Sequence, residues 1–321
     1  MADPVVFKYG RRPPKRHPAL KLGPLLTGIV PTHPDTVDYL AALSNWQILG
    51  NDSEGDCNAV AAANTRRLVT ATLSTEYYWS RDQVLSFYKT QNPGFPAEDN
   101  GMDVQTGLET LARDGGPDGV KAVAFATVDY TNPDELRAAI AIFGSVWTGA
   151  QVQASNQAQF SQGQPWDYTP GEAIEGGHAI VVGGYSPNAA DDERFITWGA
   201  ETGFTDNFWS HSIDECWVVI WPEHLGSKAF QEGVDLGALA ADYQALTGRT
   251  LPLPGGAPIP MPPVPTPTPA GCVVAALPVL ALGALGYGVF AAFVFLPFQY
   301  FMVLLLAGFP VVVVGAAEMR K

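Results

Sequence analysis

The sequence predicts an α+β domain followed by a membrane-spanning hairpin. Helix-like segments gather in the first half of the chain, whereas the apolar runs typical of β-strands gather in the second half. Residues 272–317 then form a run of 46 residues without a charged side chain. One span needs about 20 residues, so a run of this length predicts two spans.

The helices of the first half are predicted from local signals. Residues 57–73 are rich in alanine and arginine and contain neither Gly nor Pro, which predicts a helix that begins at or near Cys57. Ser80 and Gln83 form a capping-box pattern ahead of a second helix. A third helix is predicted over 104–113, where apolar residues recur at helical spacing.

The middle of the chain predicts a helix between two strands. Residues 120–128 alternate as a strand does, and residues 145–152 predict another strand. Between them, Asn132 is a favourable N-cap ahead of a helix that continues to residue 143. Helices first and antiparallel strands later indicate an α+β architecture.

The second half contains three apolar runs, over residues 179–185, 194–199 and 215–221. Each predicts a strand. Cys216 lies inside the last of these runs, so we expect it to be an inert core residue. A final helix is predicted over residues 232–249.

Residues 1–34 are rich in proline and predict an extended basic arm, which either wraps over the domain or extends free. Its basic residues are expected to be solvated or to contact anionic lipid (Arg11, Arg12, Lys15 and Arg16). Residues 250–271 are dense in proline and predict a semi-rigid polyproline linker.

The two transmembrane helices are placed at about residues 273–295 and 298–317, with Pro297 at the break. A hydrophobic hairpin buried inside a soluble assembly is the alternative. The basic end of the chain, Arg320 and Lys321, predicts a cytoplasmic side. Two spans return the chain to the side on which it started, so the globular domain is expected to be membrane-anchored and cytoplasmic.

Charge and cysteine content exclude several classes of protein. The net charge is −14, and residues 35–251 hold thirty acidic residues against ten basic ones. Such an acidic body argues against nucleic acid as a partner. Three widely spaced cysteines form no disulfide framework, and no CxxC pair suggests a zinc site. We therefore expect neither metal nor cofactor, and the sequence indicates no oligomeric state.

Two residues are candidates for chemistry. The positive end of a helix favours a thiolate over a thiol at Cys57, although free cysteines usually just pack in cores. His178 follows two glycines at the entrance of a predicted strand, where its ring can face a cleft. A histidine in a strand is otherwise a satisfied core or surface residue.

The order of several motifs resembles the papain-like cysteine peptidases over residues 35–221. The motifs are Val37-Asp38-Tyr39, Asn51 six residues before Cys57, Asn100-Gly101 with Leu108, Asn132–Phe143 with Ser145-Val146, Gly177-His178 with the run to Tyr185, and Thr197-Trp198-Gly199. The histidine strand is the most specific of them.

The resemblance implies a fold of two subdomains over 35–231, with a helical left part and an antiparallel, β-barrel-like right part. It implies that Cys57 is the nucleophile and that His178 is the general base and acid. Asn51 and the backbone N–H of Cys57 would hold the oxyanion. The substrate would be a peptide or protein.

The sequence departs from the family pattern at several places. Ile196 stands where the family has the asparagine that orients the histidine, so Thr197, a backbone carbonyl or an acidic residue of 191–193 would have to replace it. Asn58 replaces the usual tryptophan. The arm before Cys57 is shorter than the family's usual inhibitory propeptide, so activity is expected to be controlled in another way.

Three functions follow from these observations. The first is a membrane-anchored cysteine peptidase, or a related amidase or transpeptidase. The second is an inactive papain-like module that binds peptides or partners, which Ile196 and Asn58 favour. The third is a structural component of a larger assembly, viral or otherwise, in which the hairpin carries the function.

Overall fold

The computed structural model describes residues 7–28, 33–186 and 193–253, and within them the α+β prediction is confirmed. The helices are α1 (Cys57–Leu73), α2 (Arg81–Tyr88), α3 (Val104–Arg113), α4 (Pro133–Phe143), α5 (Ala154–Ser161), α6 (Asp206–Ser212), α7 (Lys228–Gly233) and α8 (Leu236–Thr247). The strands are β1 (Leu20–Lys21), β2 (Val37–Asp38), β3 (Ala124–Thr127), β4 (Val146–Gln153), β5 (Ile174–Tyr185), β6 (Glu193–Thr197), β7 (Ala200–Phe204) and β8 (Ile213–Ile220).

The strands form one sheet in the order β1-β3-β8-β4-β5-β6-β7, and β2 pairs with β5. Neighbouring strands are antiparallel, apart from β1 and β3, which run parallel. The longest strand, β5, pairs with β2, β4 and β6. It therefore holds its residues rigidly in the middle of the sheet.

Both faces of the sheet are covered. Val181 and Trp217 point to a core shared with α1, α2 and α3, whereas Ile180 and Val182 point to a core shared with α4, α7 and α8. Successive residues of a strand point to opposite faces, so a sheet buried on both sides needs continuous apolar runs. This is why β5 and β8 each contain a continuous apolar run.

The helix starts and caps predicted from the sequence are present in the structure. The structure has α1 begin at Cys57 and end at Leu73, as predicted. Ser80 and Gln83 form the capping box of α2. The Asn132 side chain accepts hydrogen bonds from two backbone N–H groups at the start of α4. These signals are local, so distant parts of the fold do not override them.

Two predicted boundaries were wrong. The strand predicted over 120–128 is limited to β3, because Ala122 donates its N–H to the carbonyl of Leu111 and the Val120 carbonyl accepts from Gly116. The helix predicted over 232–249 begins later, as α8 at Leu236, and a separate short helix, α7, ends before it at Gly233. Asp235 separates them because its N–H donates to Leu25 and its side chain caps α8.

The described part of the arm, residues 7–28, lies against the domain and contributes β1 to the sheet. The predicted linker lies outside the described residues beyond position 253, as does the predicted hairpin. Within the described ranges, the helices are too short or too polar to cross a membrane.

Candidate active site

Cys57 is the first residue of α1, and its side chain is 1% exposed. The helix behind it is buried from Asn58 to Thr70, where it packs against β5, α2 and α3. Asn58 donates from its side chain to the carbonyl of Met102 at 2.6 Å. Asn58 thus ties the start of α1 to the loop before α3 and fixes the position of the cysteine.

His178 lies on β5 and is fully buried. Its Nε2 is 2.7 Å from the Thr197 hydroxyl, and its Nδ1 has no hydrogen-bond partner among the described residues. The Trp198 ring covers the imidazole at a centroid distance of 4.8 Å. Trp198 and Gly199 both have positive φ, as a two-residue hairpin turn requires, and this turn joins β6 to β7.

The structure brings Cys57 and the histidine strand together. The backbone of Ala179, which follows His178, lies beside the Cys57 thiol and lowers its pKa. The nucleophile predicted on α1 and the base predicted on β5 therefore lie on facing elements of one site.

Ile196 is buried in the core, so it offers the histidine no hydrogen bond. The neighbouring Thr197 points to the other face of β6 and contacts His178 through its hydroxyl. Of the substitutes that the sequence left open, the threonine contacts the histidine, whereas the side chains of residues 191–193 lie outside the part of the chain that the structure describes.

Asn51 lies in the loop that leads into α1, where its side chain is 1% exposed. Its backbone N–H donates to the carbonyl of Ile48, and its side-chain oxygen has no partner within the described part of the chain. Also within that part, no group of three or more His, Cys, Asp or Glu side chains is arranged to hold a metal ion.

The N-terminal arm passes directly over the site. The backbone of Gly10 lies beside the Cys57 thiol and lowers its pKa. On one side of the arm, Arg11 donates its N–H to the carbonyl of Gly177 at 2.9 Å. On the other side, the carbonyl of Gly10 accepts from Met102 at 2.8 Å, and Arg12 donates to the Met102 carbonyl at 2.8 Å. An extended segment of this chain thus fills the cleft as a bound peptide would.

Aromatic residues seal this closed arrangement. Phe7 stacks on Trp198 at a centroid distance of 4.4 Å, and Tyr9 meets His178 edge-on at 6.0 Å. Gln157 holds both ends of Phe7, because it accepts from the Phe7 N–H and donates to the Phe7 carbonyl. Solvent is thereby kept from the imidazole.

Burial sets the protonation of the two candidate residues. It raises the pKa of Cys57 to about 12, and the backbone groups of Ala179 and Gly10 offset this only in part. Burial, together with the nearby Arg11 guanidinium, lowers the pKa of His178 to about 3. The thiolate expected from the helix terminus is therefore a neutral thiol beside a neutral imidazole while the arm is in place.

The arm is the part of the site that the sequence reasoning missed. Arg11 was expected to be solvated or to contact lipid, but its side chain is 2% exposed and lies between Asp214 and Glu215. The sequence does contain a signal. The arm through residue 34 holds six basic residues against one acidic residue, opposite in sign to the body it covers. Because opposite charges attract, this difference favours an arm that is docked on the body of the domain.

Comparison with solved structures identifies the fold. The chain is similar to xylellain, a cysteine protease from Xylella fastidiosa, with a TM-score of 0.52, 16% identity, and coverage of 69% of this chain and 98% of that chain. It is also similar to procathepsin B S9 from Trypanosoma congolense, with a TM-score of 0.51, 9% identity, and coverage of 66% and 86%. The fold is therefore that of the papain-like cysteine proteases. No protein-family model and no curated protein sequence matches the chain.

Proposed function

We propose that the chain is a cysteine peptidase in which Cys57 is the nucleophile and His178 the general base and acid. The observation that carries the proposal is the hydrogen bonding of the two ring nitrogens of His178. Its Nε2 is held by Thr197, while its Nδ1 is free of a described partner on the strand that faces Cys57. A base that is oriented at one nitrogen and available at the other is what an activated thiol requires.

The catalytic steps follow from these positions. With the arm displaced, the Cys57 thiol passes its proton to Nδ1 of His178, and the sulfur attacks a peptide carbonyl. The N–H of Cys57 and the Asn51 side chain stabilise the oxyanion. The imidazolium then protonates the leaving amine. Water, deprotonated by the same ring, releases the acyl group and restores the thiol.

The closed arm makes this enzyme latent. It occupies the peptide-binding cleft, excludes water from His178, and holds both candidate residues in their neutral forms. The sequence predicted control by a means other than the family's usual inhibitory propeptide, and residues 7–12 are the segment that we propose for this control. Opening of the arm is then required before a substrate can bind.

The test is hydrolysis of fluorogenic peptides by the full chain with Arg11→Ala, which removes the side chain that anchors the arm. We expect hydrolysis that disappears when Cys57→Ala is added and survives when the other buried cysteine is changed, Cys216→Ala. Hydrolysis that persists without Cys57, or that is absent although iodoacetamide labels Cys57 rapidly, would overturn the proposal.

An inactive peptide-binding module is the second candidate, and the arm bound in the cleft favours it. Both candidates predict that a peptide binds once the arm is displaced. They differ in the reactivity of Cys57, because only a peptidase needs a thiol whose alkylation is accelerated by His178. A Cys57 alkylation rate unchanged by His178→Ala in the Arg11→Ala chain would favour the binding module.

We further propose that residues 272–317 anchor the peptidase to a membrane, with its domain on the cytoplasmic side. The support is the charge-free length of this segment. The full chain should stay with membranes after alkaline carbonate extraction, and external protease should leave the domain intact in sealed cells. Release into the supernatant would contradict the anchor, and digestion of the domain from outside would contradict its orientation.

A further inference from the structure

The Arg11 side chain fills a pocket built by the body of the domain. Its Nη1 donates to Oε1 of Glu215 at 2.8 Å and its Nη2 to Oδ2 of Asp214 at 2.8 Å. Nη2 also lies 3.4 Å from the carbonyl oxygen of Ala150. The guanidinium is therefore met by two carboxylates and a main-chain acceptor in a place that is closed to solvent.

The geometry of β8 explains how two adjacent residues reach one guanidinium. Neighbours on a strand normally point to opposite faces. Here the register between β4 and β8 shifts, because Gly149 pairs with Glu215 whereas Ala150 pairs with Ile213, so Asp214 is an extra residue. Such a bulge redirects a side chain.

Space for the arginine stem comes from Gly149 on β4. A β-carbon at this position would lie 2.9 Å from Cδ of Arg11 and 2.6 Å from Cγ of Glu215. Any larger residue would close the pocket. The sheet itself therefore forms this wall of the pocket.

The pocket adjoins the candidate catalytic residues. Ala150 is the direct partner of His178 across β4 and β5. The backbone of Arg11 bonds to Gly177, the residue before that histidine. A peptide held by these main-chain bonds would place one side chain in this pocket. Main-chain bonds accept any sequence, so the side-chain pocket provides the selectivity.

We propose that Asp214 and Glu215 form the specificity pocket of the peptidase, which selects peptides with an arginine at the position that enters it. Arg11 of the arm occupies this pocket in place of the substrate. This inference rests on the proposed peptidase function and names its substrate class.

The arrangement favours arginine over lysine. The two terminal nitrogens of a guanidinium form a planar fork, and each meets a different carboxylate here. A lysine ammonium is a single point charge and cannot occupy both places. An uncharged side chain would leave two carboxylates buried without a cation, and burial already raises the pKa of Glu215.

The experiment uses the full chain with Arg11→Ala and a positional-scanning library of fluorogenic peptides. At one position we expect arginine to exceed methionine and glutamine in kcat/KM by roughly ten- to a hundredfold, the range for hydrogen bonds to charged groups. Adding Asp214→Asn or Glu215→Gln should remove most of this preference. Glu175→Gln is the matched control, because Glu175 lies exposed on β5 outside the pocket.

The outcomes separate the pocket from the peptidase. Cleavage without an arginine preference, or with one that neither pocket variant alters, overturns the pocket and leaves the peptidase standing. If iodoacetamide labels Cys57 of the Arg11→Ala chain rapidly but the chain cleaves no member of the library, the peptidase proposal fails.

In that case, fluorescence anisotropy with a labelled synthetic peptide of residues 7–12 tests whether the pocket binds arginine. Binding to the Arg11→Ala chain that is weakened by Arg11→Met in the peptide and by Asp214→Asn in the protein supports the pocket. Binding that is absent, or indifferent to both changes, overturns it.

Discussion

The backbone of Gly10 touches the backbone of Gly55, and this contact allows a test of the arm with one methyl group. A β-carbon on residue 10 would lie 2.0 Å from the carbonyl oxygen of Gly55 and 2.3 Å from its carbonyl carbon. These atoms belong to the loop that enters α1, so no side-chain rotation can relieve the overlap. We therefore expect Gly10→Ala to displace the arm from the cleft.

The size of the effect follows from the cost of overpacking. Forcing a methyl group into a closely packed site costs roughly 1–3 kcal/mol, and the overlap here involves backbone alone. A cost of this size moves the balance between the closed and open arm by roughly 5- to 150-fold toward the open state. The Cys57 alkylation rate should rise by a similar factor, because only the open state admits a reagent.

The assay is alkylation of the full chain by iodoacetamide, read by mass spectrometry on the separate peptides that contain Cys57 and Cys216. Cys216 is buried in β8 and is expected to stay slow in every variant. Gly226→Ala is the control for the substitution itself, since a β-carbon there would have open space around it.

One result would refute the reasoning about the arm. If Cys57 in Gly10→Ala reacts no faster than in wild type and in Gly226→Ala, the arm does not protect the thiol. Equal acceleration at Cys57 and Cys216 would indicate general loosening of the fold rather than opening of the cleft.

Three further predictions concern the Gly10→Ala chain or its wild-type parent. Thr197→Val in the opened chain should lower kcat by roughly tenfold or more with little change in KM, because the imidazole loses its hydrogen bond. Asn51→Ala should lower kcat by roughly 10²–10³-fold in the same peptide assay, the effect of removing an oxyanion donor. In wild type, docking of the arm depresses the pKa of His178 to about 3, so the closed state binds fewer protons than the open one and should weaken as pH falls below about 6.5. Hydrogen-exchange protection of the Arg11 and Met102 amides, corrected for intrinsic rates, should therefore decrease from pH 7 to pH 5.

The features predicted correctly from the sequence are those that depend on local signals. The start of α1, the capping box at Ser80 and the N-cap at Asn132 each depend on residues only a few positions apart. The apolar run after His178 predicted a strand for the same reason. In such segments, the residues that determine the local structure are close neighbours in the sequence.

The features that were missed depend on residues far apart in the chain. No local pattern links Gly10 to Gly55, or Arg11 to residues on β8. The bulge at Asp214 is a property of the pairing between β4 and β8, so the sequence alone predicts neighbouring carboxylates on opposite faces. Thr197 was one of three options for orienting His178, and its contact with the imidazole depends on the register of β6 against β5, which no local pattern shows.

Latency and protonation are two consequences of the same contact. The arm excludes water from Cys57 and His178, and excluding water favours the neutral form of each group. The Arg11 guanidinium adds to this at His178, because a nearby positive charge opposes an imidazolium. When the arm is displaced, the Arg11 guanidinium moves away from His178 and water reaches both candidate residues. The N-terminus of α1 is then free to stabilise a thiolate. The proposed peptidase would need no separate activating group, because the movement that admits a substrate would also create the ion pair that attacks it.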